Sequence, residues 1–169
     1  MKRIFVISSL LLFLVFFPKT EVNGFTILEE PSDSWDNSGN YSISWYNKNL
    51  IEFEISTNEE LAGLAYLVNN AYSTFEGKTI RLIADIDLSG KKWKSIGSDY
   101  TTKCFKGTFD GQGHIVSNVY IGKEQDKREY YGFWGTIQNA NIKNVTLQGQ
   151  VYIKKPNDHF QFVCWRSCW

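Results

Sequence analysis

Three observations predict an all-β chain of stacked coils built from short strands, with a single helix. From Phe53 to Leu147 the chain is a series of short apolar runs punctuated by glycine and asparagine. Two of those runs echo each other: Val116-Ser117-Asn118-Val119-Tyr120-Ile121-Gly122 resembles Ile142-Lys143-Asn144-Val145-Thr146-Leu147 at a spacing of 26 residues. Repeats at such spacings mark stacked units, because one unit cannot bury its apolar face alone. Beyond one capped segment, no second amphipathic helix is available as a crossover, which argues against a doubly wound sheet.

Residues 1–24 read as an export signal. Lys2-Arg3 supply the positive start, Ile4 to Phe17 are almost uninterruptedly apolar, and Val22-Asn23-Gly24 offers small residues for cleavage. That apolar run, about 14 residues, is short for spanning a bilayer. The expected mature chain holds roughly 145 residues, enough for one core. Without Lys2, Arg3, Lys19 and Glu21, the 18 basic and 18 acidic side chains become 15 against 17. A mildly acidic balance argues against a nucleic-acid partner, and no membrane association is expected once the signal is cleaved. The aromatic share, 16%, suits an interior filled with large rings. The cysteines number 3, so at least one stays unpaired or joins another chain.

Residues 25–50 are polar at first and read as a loose leader, followed by a first strand at Tyr41-Ser42-Ile43-Ser44-Trp45, where apolar and polar residues alternate. Thr57 and Glu60 then form a capping box: the hydroxyl accepts from the Glu60 N–H, and the carboxylate reaches back to the Thr57 N–H. Leu61, Leu64, Ala65 and Val68 follow on one face, so a helix is expected over about 57–69, lying as a lid on the open end of the stack. After Gly77 the period changes to that of strands, at Thr79–Ile83, Ile86–Leu88 and Phe105–Phe109. Asp110-Gly111-Gln112-Gly113 is a strong turn signal.

These residues resemble bacterial surface proteins that carry the GLUG motif, whose N-terminal modules also occur ahead of some immunoglobulin-A-cleaving metalloproteases. The likeness rests on Ile55-Ser56-Thr57, Glu60-Leu61-Ala62-Gly63-Leu64-Ala65-Tyr66-Leu67-Val68-Asn69 and Gly77-Lys78-Thr79-Ile80. It continues through Asp85-Ile86-Asp87-Leu88-Ser89-Gly90, Trp93, Ile96-Gly97, Phe105 to His114, Gly132-Phe133-Trp134-Gly135 and the Asn144 run. The resemblance implies a right-handed parallel β-helix of two to three coils, filling residues 51–153, and a role in adhesion or surface display. Its implied partners are host or matrix glycans or proteins, with no cofactor. The Gly-Gly-Leu-Val-Gly segment that names the motif does not follow Leu147.

Residues 154–169 form an anomalous tail rich in tryptophan and cysteine. With one choice of codons, a one-base shift across Val163–Trp169 reads Cys-Ala-Gly-Gly-Leu-Val. A frameshift in a longer parent and a genuine, unusual end are both open on this evidence. A sheet stack stopped there exposes an edge of unpaired N–H and C=O groups unless something covers it.

Asp85, Asp87 and Asp110 are the candidate carboxylates of a carbohydrate-active enzyme, the main alternative to a non-catalytic module, since paired carboxylates can bind calcium or act as acid and base. Asp85 and Asp87, two apart, share a side of a strand. The plainer reading makes them solvent-facing flanks of an inward Ile86, with Asp110 capping a turn. His114 reads as a turn residue rather than a catalytic one. His159, Cys164 and Cys168 match no closed zinc site, and the His-Glu-x-x-His pattern of metalloproteases does not occur. Tyr130, Tyr131 and Trp134 are candidate sugar-stacking aromatics, although Phe133 or Trp134 must face inward. Asn144 is expected to stack over Asn118 in an amide ladder. The remaining alternative is a truncated, non-functional remnant, which would aggregate.

Overall fold

The computed structural model describes residues 30–122 and 132–149 in full, and the backbone of 21–22, 25–26, 150–154 and 160–168. The elements are β1 (Glu21–Val22), β2 (Phe25–Thr26), β3 (Glu52–Ile55), α1 (Asn58–Asn69), β4 (Thr79–Leu82), β5 (Ile86–Asp87), β6 (Thr108–Asp110), β7 (Ile115–Ile121), β8 (Asn141–Lys143), β9 (Thr146–Lys154) and β10 (Phe160–Cys168). One sheet is wholly parallel, in the order β3-β4-β6-β8. The other, β10-β9-β7-β5, is parallel from β5 to β9 and closes with β10 antiparallel to β9. β1 and β2 pair antiparallel as a separate two-stranded unit.

Register sets the core. Phe53, Ile80, Phe109 and Ile142 lie opposite one another across the parallel sheet, and Ile86, Val116 and Leu147 do so across the second. Period-two alternation puts these side chains on the inner face, and all but Ile142 are buried. Neighbouring polar residues face out, as in the exposed–buried alternation of β3.

α1 has the capping box in place: Thr57 Oγ1 accepts from the Glu60 N–H at 3.2 Å, and Glu60 Oε2 accepts from the Thr57 N–H at 3.2 Å. Leu61, Ala62, Gly63, Leu64, Ala65, Leu67 and Val68 are all buried, so the helix is enclosed on more than one face. Its second side meets the segment before β3. Gly63 lies against the Ser42 carbonyl, where an added Cβ would come within 1.9 Å, and the Tyr66 ring stacks on Tyr41 at 4.1 Å.

This arrangement corrects the fold class. The chain is not an all-β right-handed parallel β-helix of two to three coils with a helical lid. It is an α/β arrangement of two sheets and one helix sharing a core, and one sheet is mixed. The physical reasons are local. The helix contributes seven buried residues to the shared core, and β9 turns back on β10 instead of entering another coil.

Two further expectations are overturned. Tyr41–Trp45 forms turns and no strand, its alternation reflecting Tyr41 on Tyr66 and Trp45 on Phe53 and Phe75. The 26-residue echo is also not a stacking register, since Val116 lies opposite Leu147, and Ile142 opposite Phe109. Asn118 sits at an irregularity inside β7 and Asn144 at the corner between β8 and β9, with φ of 54° and 55°. Asparagine is among the few residues that adopt this left-handed conformation readily, so the echo marks a shared local bend.

Gly97 and Gly113 both have left-handed φ, +94° and +87°, but a Cβ at Gly97 would lie 2.2 Å from the Thr136 carbonyl oxygen while Gly113 faces open space. Gly113→Ala is expected to cost about 1 kcal/mol through backbone strain alone. Gly97→Ala is expected to cost about 2 kcal/mol more because packed backbone must shift. Denaturant unfolding of the two variants measures the difference, and equal losses would refute the close approach.

Candidate functional site

The candidate carboxylates lie at corners of the sheets, and each is held by the next segment of chain. Asp85 accepts from the Ile115 N–H at 3.0 Å and contacts His114 Nδ1 at 3.0 Å. Asp87 accepts from the Asn118 side-chain amide at 2.9 Å and from the Ser89 N–H at 2.9 Å. Asp110, 6% exposed, accepts from the Gln112 N–H at 3.1 Å, from the Asn144 amide at 3.0 Å and from Lys143 Nζ at 3.2 Å. Asp85 and Asp87 do flank a buried Ile86 on the solvent side.

The electrostatics favour the anion at all three. The Ile115 N–H and then the His114 ring hold the Asp85 carboxyl below its ordinary range. The Asn118 amide and then the Ser89 N–H do the same for Asp87. Burial pushes the Asp110 carboxyl up, but the Gln112 N–H, Asn144 and Lys143 outweigh it, and the group ends below its ordinary value. An acid–base pair needs two groups whose environments push their pKa values apart, one of them upward. These three are all pushed down. Their partners differ: Ile115 and His114 for Asp85, Asn118 and Ser89 for Asp87, and Gln112, Asn144 and Lys143 for Asp110.

The asparagine ladder is replaced by this pairing. Asn118 and Asn144 bond to Asp87 and Asp110, not to each other. Each left-handed bend thus carries an amide that ties one strand layer to a carboxylate of the previous one.

Trp134 packs its ring at 5.2 Å from each of Phe105, Phe109 and Phe133, with Nε1 buried and without a partner. Tyr130 and Tyr131 lie outside the described residues, as do His159 and most of residues 1–24, where an export signal is expected. The side chains of Cys164 and Cys168 are likewise outside them, while Cys104 is free and buried. Among the described residues no group of three or more His, Cys, Asp or Glu is placed to hold a metal, and no helix is long and apolar enough to cross a membrane.

A cleft of about 450 Å³ opens beside α1, lined by Trp35, Ala65, Tyr66, Asn69, Trp93 and Ser98 among others. Several of its polar groups bond to the protein, while Asp36, Lys94 and Ser98 also line it. Asn69 donates to the Ser95 carbonyl at 2.9 Å and accepts from the Gly97 N–H at 2.8 Å, while the indoles of Trp35 and Trp93 donate to the Leu88 and Phe133 carbonyls.

The outer face of the parallel sheet carries a feature that sequence reading missed. Glu54, Arg81, Asp110 and Lys143 lie opposite one another in register, a row of alternating charge. Arg81 adds a two-pronged contact with Glu52, at 2.9 and 3.1 Å. The four residues are 27, 29 and 33 positions apart, too irregular to be seen as a repeat.

No protein-family model matches the chain, and no solved structure matches it. Among curated proteins it is similar to Halomucin of Haloquadratum walsbyi, 30% identical over 103 residues, which is 54% of this chain and 1% of that protein. The chain therefore spans about a hundredth of the length of the curated relative it matches.

Because the corner carboxylates are more acidic folded than unfolded, they stabilise the fold above the unfolded carboxylate value, near pH 4. That contribution falls away as pH drops further through the lowered folded values. Asp110→Asn is expected to lower stability at pH 7 and to flatten the loss between about pH 4 and pH 2. Urea midpoints measured across this range test it, and an unchanged acid slope would contradict the assigned role.

Proposed function

We propose that the chain is a non-catalytic module of an exported surface protein, of adhesin type, engaging glycans or proteins of a host or matrix through a broad solvated face. The observation that carries this reading is the commitment of Asp85, Asp87 and Asp110 to backbone and amide partners as anions, which suits joints of a scaffold better than reacting groups. The likeness to a protein named as a mucin supports a surface or secreted setting, and its small share of that protein fits a module of something longer. The GLUG resemblance of the Thr57–Asn69 and Phe105–His114 segments points the same way.

Arrays of glycans and extracellular-matrix proteins probed with the purified chain are expected to give saturable binding with no release of new reducing ends from any polysaccharide. Turnover that disappears in Asp85→Asn, Asp87→Asn or Asp110→Asn, with folding intact by circular dichroism, would overturn the reading in favour of a carbohydrate-active enzyme.

A further inference from the structure

The two sheets end differently. β9 is followed by β10, which pairs with it over nine residues from Phe160↔Lys154 to Cys168↔Thr146. β8 is the last strand of its sheet, and among the described residues no strand pairs with its outer edge. The Asn141 N–H donates to the Gly107 carbonyl and the Lys143 carbonyl accepts from the Gly111 N–H, so both residues turn their backbone groups toward β6. Alternation along a strand leaves the Ile142 N–H and C=O directed outward.

Side chains in the same layer are unfinished as well. Ile96, Phe105 and Phe109 are fully buried, and each is followed in register by Trp134, Ile137 and Ile142. Those three are only partly covered, with Ile137 44% exposed. The charge row stops at the same edge. Arg81 has acids on both neighbouring strands, Glu54 on β3 and Asp110 on β6, whereas Lys143 has an acid on one side only.

From this juxtaposition we propose that the outer edge of β8 captures an extended polypeptide of another protein, added parallel to β8, with the triplet polar–apolar–acidic. The apolar side chain continues the row from Phe109 through Ile142. The acid stands opposite Lys143 and extends the alternation Glu54, Arg81, Asp110, Lys143. The backbone contributes two bonds, from the Ile142 N–H to the carbonyl of the polar residue, and from the N–H of the acidic residue to the Ile142 carbonyl. Main-chain pairing of this kind supplies affinity, and alternate side chains supply selectivity. The proposal goes beyond the surface-module reading and does not depend on it, because an enzyme with the same edge would capture the same strand.

A synthetic peptide with the sequence of residues 106–112, which contains the triplet Thr-Phe-Asp, is the probe. Titration into the isotopically labelled chain is expected to shift the amide signals of Ile142 and Lys143 and to saturate. Exchanging the peptide Asp for Lys, or Lys143→Gln in the protein, is expected to weaken binding about threefold. Methylating the peptide Asp nitrogen removes one bond of the pair and is expected to weaken binding at least about tenfold. No saturation at millimolar peptide, or equal binding of all three peptides, would overturn the proposal. So would self-association in sedimentation that excludes the peptide, because a second copy would then own the edge.

Discussion

The structure depends on in-register parallel pairing of apolar residues across the wholly parallel sheet. Phe53, Ile80, Phe109 and Ile142 sit opposite one another, so Ile80 and Phe109 each pack on the strand before and the strand after. Burying one such side chain is worth about 1.5–3 kcal/mol, and a slip of one residue would turn the whole row to solvent. Everything else follows from keeping that register. The helix encloses the first layer, and the second sheet repeats the device with Ile86, Val116 and Leu147.

Register in short strands has to be fixed at the corners, and here polar chemistry does it. Asp85, Asp87 and Asp110 each bind a donor supplied by the following layer, twice through an asparagine in left-handed conformation. The same contacts stabilise the carboxylates as anions. One arrangement thus explains both why the acids lie where they do and why they suit a scaffold. Function is then sought on the outer faces and edges, where alternating charge lies in register with the buried rows.

The helix boundaries were legible in the sequence, because Thr57 and Glu60 form a local motif whose geometry needs no tertiary information. The strand at Thr79–Leu82 was legible from alternation, whereas the run read at Phe105–Phe109 is strand only from Thr108 and continues through Asp110, which read as the start of a turn. What was not legible is what depends on distant partners. The burial of α1 on its second face comes from Ser42, Trp45 and Tyr41, which read as an isolated strand. The echo of Asn118 and Asn144 was real but meant a shared backbone bend, and only the register tells bend from stack. The charge row was hidden because unequal loops place its four members at unequal spacings.

The most direct test of this account is native-state amide hydrogen exchange, residue by residue, on the isolated chain. Backbone groups of β4 and β6 are paired on both sides, whereas the Ile142 N–H points away from β6 at the edge. The account expects Ile80, Leu82 and Phe109 to exchange only through global opening, and Ile142 to exchange far faster than Lys143 beside it. Equal protection of Ile142 and Lys143 in the monomer would contradict the strand order and, with it, the register from which the rest is argued.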